Sequence, residues 1–447
     1  MWWCVFGTDP EASRLIFVAS ISERVTQLSA SLSVGDSGVR GERRSNLPSL
    51  TGMRFFAALL VFFIHSLQPI GPVDPTGPLN PFADKGIASG MLKLFGPAGY
   101  LGVSFFFLLS GFVITWSARP GERVRAFWRR RLVKIFPNHI VMWALAMFFF
   151  AGAYTPMFTW LTNLFLVNSY VPKFDVQMSV NAPAWSLCSE LLFYLLFPAL
   201  IRPIRRIPVN RLWLWAGVLV ACVGAVTLVT TYLIPDTPKN PYIPISPTQM
   251  WFNYTFPPMR LFEFVLGMVL ARIVMAGRWP RIGVAPVLVL LGVGYWIAME
   301  VQAPFNISLV MLVPFSVAIC AAASADVRGA RSFLTSRPMI WLGEISFGFY
   351  LCQGVVLFYG RPAILGTGTF STPVAVLVMI GMFCATLLSG WLLHSCVEMP
   401  AMRLWSRSKA DRKPADRAAT RVAADAAVPA QAVAVEHSPV AEHSPVG

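Results

Sequence analysis

The chain has 447 residues, 56% of them hydrophobic and only 13% charged, with a mean hydropathy of +0.61; that balance is far from soluble averages and excludes a water-soluble enzyme. Its 36 Lys and Arg against 21 Asp and Glu leave a formal charge of +15, and basic cytoplasmic loops in a lipid-dwelling protein account for that excess with no nucleic-acid partner. Seven Cys lie mostly inside apolar runs, with no Cys-x-x-Cys pair and no His at zinc spacing, so they read as small apolar packers and no metal is expected.

Residues 1–46 carry a weak amphipathic patch from Arg14 to Ala30, but Met1-Trp-Trp-Cys lacks a basic n-region and Asp9, Pro10 and Glu11 interrupt any apolar core. A signal peptide is not indicated, and this segment is expected to be a poorly ordered extension. Ten apolar runs then follow, each near the length that crosses about 30 Å of hydrocarbon: 53–69, 98–116, 137–153, 185–201, 212–234, 258–276, 283–299, 304–323, 339–359 and 373–395. Between them Lys and Arg cluster on alternate connections, with Arg119 to Lys134, Arg202 to Arg211, Arg272 to Arg281 and Arg328 to Arg337 on one side. By the positive-inside rule those connections are cytoplasmic, and so are both termini. The expected fold is an all-α, polytopic transmembrane helical bundle of about ten spans in the cell membrane, with a membrane domain over 47–405. The tail, 406–447, is rich in Ala, Val, Pro and charge, repeats Glu-His-Ser-Pro-Val twice and is expected to be disordered.

The first span holds Arg54 and, eleven residues on, His65 within an otherwise apolar run. Ionisable groups in hydrocarbon cost about 2.5 to 3.5 kcal/mol on insertion scales, so they are kept for function. In the second span Ser110 and Gly111 are small enough to admit another helix or a ligand. At the cytoplasmic start of the third, Arg131 and Lys134 stand three apart and share a face if helical, a pair that suits a phosphate-rich ligand or lipid headgroups. The fourth opens Trp185-Ser-Leu-Cys-Ser-Glu190. If spans one and four run in opposite directions, His65 and Glu190 both fall in the outer half of the bilayer, where the carboxylate could orient the His as a general base. Glu263 in span six is expected to pair with Arg260 or line a cavity, and Glu398 to anchor the last helix.

Five motifs in order, namely Arg54 with His65, Gly-Val-Ser-Phe-Phe-Phe-Leu-Leu-Ser-Gly-Phe (102–112), Arg-x-x-Lys-Ile-Phe-Pro (131–137), Trp-Ser-Leu-Cys-Ser-Glu-x-x-Phe-Tyr (185–194) and Ile-Ser-Phe-Gly-Phe-Tyr-Leu (345–351), resemble the acyltransferase-3 family of membrane O-acyltransferases over residues 47 to 405. The wording of 109–120 and 185–194 is most similar to the actinobacterial macrolide acyltransferases. The resemblance implies transfer of an acyl group from acyl-CoA, a donor substrate and not a tightly bound cofactor, to a hydroxyl of a sugar, a glycosylated natural product such as a macrolide antibiotic, or a cell-surface glycan. By motif position it further implies His65 as the catalytic base, Arg54 as its partner on the same helix, and Arg131 with Lys134 as donor-binding contacts. Alongside these, Glu190 is expected to be catalytic with His65, Arg54 to bind donor, and Ser110, Trp185 and Tyr350 to be substrate contacts. Lys134 stands where the family usually has Arg, and Gln353 where many relatives have His, so Gln353 is assigned no proton chemistry. The rival reading is a secondary transporter relaying protons through His65 and Glu190, for which the sequence offers no internal symmetry.

Overall fold

The computed structural model describes residues 46–72, 77–119, 121–239 and 245–406. All of the N-terminal extension except Asn46, and all of the tail except Ser406, lie outside the described residues. Among the described residues no β-strand forms, and Phe82 and Phe370 make one isolated bridge. Among the described residues, eight helices are long and apolar enough to cross a membrane, and the chain is a multi-pass membrane protein.

All ten expected spans fall on helices: α1 (Pro48–Ser66), α2 (Lys85–Ser117), α3 (Val124–Ala146), a short α4 (Met157–Leu164), α5 (Trp185–Arg206), α6 (Leu212–Leu233), α7 (Pro257–Met275), α8 (Val284–Glu300), α9 (Leu312–Val327), α10 (Arg337–Val355) and α11 (Thr372–Leu393), with α12 (Met399–Trp405) following. The two outside the eight are α7, which carries Arg260, Glu263 and Arg272, and α8, only 17 residues long. In α7 the charge is neutralised within the bundle, since Arg260 Nη2 lies 2.9 Å from Glu263 Oε2 and donates to Ser104 Oγ at 2.7 Å. The same guanidinium sits over the rings of Tyr254 (5.1 Å) and Phe107 (5.4 Å). Glu263 therefore pairs with Arg260, the first of its two expected roles.

Two connections differ from expectation. Helix α2 starts at Lys85, where the Asp84 side chain accepts from Ile87 N at 2.9 Å and caps an orphan donor. Its 33 residues make a rod of about 50 Å, so the helix begins well before the expected span at 98–116. Segment 154–184 is likewise an ordered cap: Asn163 Nδ2 donates to Ser179 O (2.9 Å), Asn168 Nδ2 to Gln177 O (2.7 Å) and Ser169 Oγ to Trp185 O (2.9 Å). Buried amides and hydroxyls here replace the backbone partners that a helix ladder would supply.

The centre of the bundle is α1, α2, α7 and α10, with α1 against α2 and α10, and α2 against α7. Glycine decides how closely the last pair approaches, because a Cβ on Gly111 would overlap the Phe264 carbonyl and one on Gly267 the Leu108 carbonyl. Gly111 thus admits a helix, one of the two roles its size allows. A Cβ on Gly343 of α10 would similarly strike the Thr51 carbonyl of α1, which brings Glu344 and Arg54 to the same end of the bundle.

Candidate active site

Between α1, α2, α3, α5 and α10 lies a cavity of about 350 Å³. Arg54, Arg131 and Lys134 line it with two carboxylates, Glu190 and Glu344, while Val103, Phe106 and Phe107 form an apolar flank. Most of these charges come from the N-terminal halves of α1, α3 and α10, which therefore assemble a basic pocket at one end of the bundle. The sequence places Arg131 and Lys134 on one helix face, and tertiary packing adds Arg54 from a separate helix.

The cations are held differently. Arg131 lies over the rings of Phe127 (5.5 Å) and Tyr194 (5.6 Å). Its planar group stacks while its fork of donors remains available to an anion. Lys134 is ion-paired to Glu398, which also accepts from Asn138 Nδ2 at 3.1 Å. That pair ties α3 to the junction with α12, the anchoring role expected of Glu398, and it partly neutralises a residue expected to face the donor. Arg54 lines the cavity together with Glu190, Tyr194 and Arg131.

Glu190 opens on this cavity, where Tyr194 OH donates to its Oε2 at 3.5 Å. It is not the partner of His65. The His65 Nδ1 atom lies 2.8 Å from Gln353 Oε1, and its ring packs edge-on against Phe358 at 5.1 Å. The expected meeting assumed equal depth, but Glu190 stands eight residues, about 12 Å, beyond the start of its span at Ala182, whereas His65 is the penultimate residue of α1. Helix rotation completes the separation, turning Glu190 towards Arg54 and Tyr194.

Of the expected substrate contacts, Ser110 and Tyr350 line the cavity. Tyr350 OH donates to Pro183 O at 3.0 Å and lies 2.9 Å from Ser186 Oγ, fixing its ring at the apolar end near Phe106 (6.4 Å). Trp185 is instead packed behind it, 5% exposed, against Tyr254 at 4.7 Å. Gln353 lies one helical turn beyond Tyr350 on α10 and is fully buried, whereas Glu344, nearer the start of the helix and turned to its other side, lines the cavity. Sequence reasoning singled out Gln353 without giving it a role and missed Glu344. The only signal for Gln353 was its departure from the family pattern, and Glu344 precedes the motif by a single residue.

Many spans around a charged internal cavity define a polytopic membrane protein whose polar chemistry is sequestered from lipid. The chain belongs to the acyltransferase-3 family, matching its acyltransferase domain over residues 47–394. It is similar to acyltransferase MdmB of Streptomyces mycarofaciens, 38% identical over 81% of this chain and 93% of that protein. A more distant relative is the peptidoglycan O-acetyltransferase OatA of Listeria monocytogenes, 22% identical over 72% of this chain and 51% of that protein. No solved structure matches. The protein is thus an integral-membrane O-acyltransferase, which favours the enzyme over the transporter.

Proposed function

We propose that this enzyme moves an acyl group from acyl-CoA, bound from the cytoplasmic face, to a hydroxyl of a sugar on a glycosylated natural product of the macrolide kind. The observation that carries the reading is the layout of α1, with Arg54 in a basic cavity and His65 eleven residues further on against Gln353. Eleven helical residues span about 16 Å. A pantetheine arm of about 20 Å bridges that distance, so phosphates held by Arg54 and Arg131 leave the thioester within reach of His65.

The reaction needs no nucleophilic side chain. The acceptor hydroxyl gives its proton to His65 as its oxygen bonds the thioester carbonyl carbon, the carbon–sulfur bond breaks, and the departing thiolate takes the proton from the imidazolium. Alignment of two bound substrates away from water supplies most of the acceleration, and the base contributes about 10² to 10⁴. Glu190 and Glu344 then act as counter-charges that keep the emptied cavity from being three bare cations.

The likeness of 109–120 and 185–194 to macrolide acyltransferases supports a natural-product acceptor over a cell-wall polymer, and assay identifies both donor and acceptor. Membranes carrying wild type or His65→Ala are given acetyl-CoA and longer acyl-CoAs with a panel of glycosylated macrolides, and free CoA and acceptor mass are followed. Acceptor-dependent CoA release by wild type, lost in a normally inserted His65→Ala, is expected. Full turnover by His65→Ala would remove His65 as the base, and no acyl-CoA consumption with any acceptor would remove the donor assignment.

A further inference from the structure

Gln353 is fully buried near the end of α10 away from the cavity's charges, and its carboxamide has two neighbours on α1. Its Nε2 donates to the Ala58 carbonyl at 3.3 Å, and its Oε1 lies 2.8 Å from His65 Nδ1. A carboxamide nitrogen only donates and its oxygen only accepts. A backbone carbonyl also only accepts, so Ala58 claims the nitrogen end and turns the oxygen towards the imidazole. A reversed amide would set oxygen against oxygen at Ala58.

From this we infer that Gln353 is a positioning residue that sets the tautomer of His65, holding the proton on Nδ1 and leaving the lone pair on Nε2. The inference rests on the reading of His65 as the base. With Nδ1 donating to Gln353, Nε2 is the ring atom able to take a proton from the acceptor hydroxyl, and it has no hydrogen-bond partner among the described residues. Phe358, edge-on at 5.1 Å, limits rotation about the ring's remaining freedom. During transfer the proton goes from the hydroxyl to Nε2 and then to the thiolate sulfur, while Gln353 gains and loses nothing. Using an amide where hydrolytic triads use a carboxylate suits the place, since an anion there would have to be desolvated among apolar side chains.

The test uses the full chain in lipid nanodiscs with ¹⁵N-labelled His, the His65 signal being assigned by its loss in His65→Ala. In wild type the ring should be protonated at Nδ1. Gln353→Met, which keeps the length and removes the acceptor, should mix the tautomers and lower kcat about 10- to 100-fold, with KM for both substrates within about two-fold. Gln353→Glu, held neutral by its apolar surroundings, keeps an acceptor oxygen for Nδ1 and an O–H donor for the Ala58 carbonyl, and should retain the tautomer and most of the turnover. A wild-type ring protonated at Nε2 overturns the inference even if neither variant folds, and so does unchanged kcat in Gln353→Met beside a dead His65→Ala. Full turnover in His65→Ala overturns the base assignment instead, a result separable from the other two.

Discussion

The two ends of α1 solve the problem of polarity in a membrane in opposite ways. At the Arg54 end three cations from two helices share a cavity with two carboxylates, and each charge is offset by a neighbour: a ring under Arg131, Glu398 beside Lys134, Glu190 near Arg54. At the other end His65 meets an amide and an aromatic edge. The first arrangement tolerates, and in the proposed reading awaits, a multiply charged ligand. The second suits one proton moved without bringing net charge into apolar surroundings. In the proposed reading, binding and chemistry are separated along one helix and joined by the reach of a long substrate.

That contrast breaks most sharply at His65. Replacing it by Ala should lower kcat about 10²- to 10⁴-fold with little change in donor affinity, as read by CoA release at saturating donor; an increase in donor KM with unchanged kcat would place His65 in the binding half. A third region is the internal control. Arg260 is closed in by Glu263, Ser104 and two rings, so Arg260→Ala should cost about 3 to 5 kcal/mol of stability by stranding a buried carboxylate, seen as a lower Tm in detergent. Survival of Tm with loss of activity would instead make that pair functional.

At the cavity end, Arg54→Ala or Arg131→Ala should weaken CoA binding about 10- to 100-fold, the equivalent of a charge-assisted hydrogen bond of about 1.5 to 3 kcal/mol, and the loss should shrink in high salt. Calorimetry at two ionic strengths checks it, and an unchanged Kd would leave the cavity without its proposed ligand. The smallest effect is expected of Glu398→Gln, which frees Lys134 from its partner and should change donor KM by no more than about three-fold while hydrogen exchange rises in α12. Protection unchanged there would show that the helix is held by its apolar face.

Much of this layout is legible from residues alone. The apolar runs locate the spans because every backbone polar group in hydrocarbon must be satisfied within a helix, and the intramembrane ionisable residues mark the site because few other reasons justify their cost. Arg131 and Lys134 share a face by helical spacing. Glu190 was recognisable as a site residue but not as a neighbour of Arg54, since counting along two helices gives depth and not rotation. The ordered cap over 154–184 was hidden because its Asn and Ser side chains take over bonds that periodic patterns never register.

What the sequence by itself determined is the membrane, the span positions and which polar residues are too costly to be idle, because these follow from local composition and the thickness of a bilayer. What only the tertiary structure decided is who meets whom. Gln353 reaches His65 across 288 positions and Glu398 reaches Lys134 across 264, because contacts of glycine on carbonyl set how closely α1, α2, α7 and α10 pack, and that spacing and rotation belong to pairs of helices and not to either one alone.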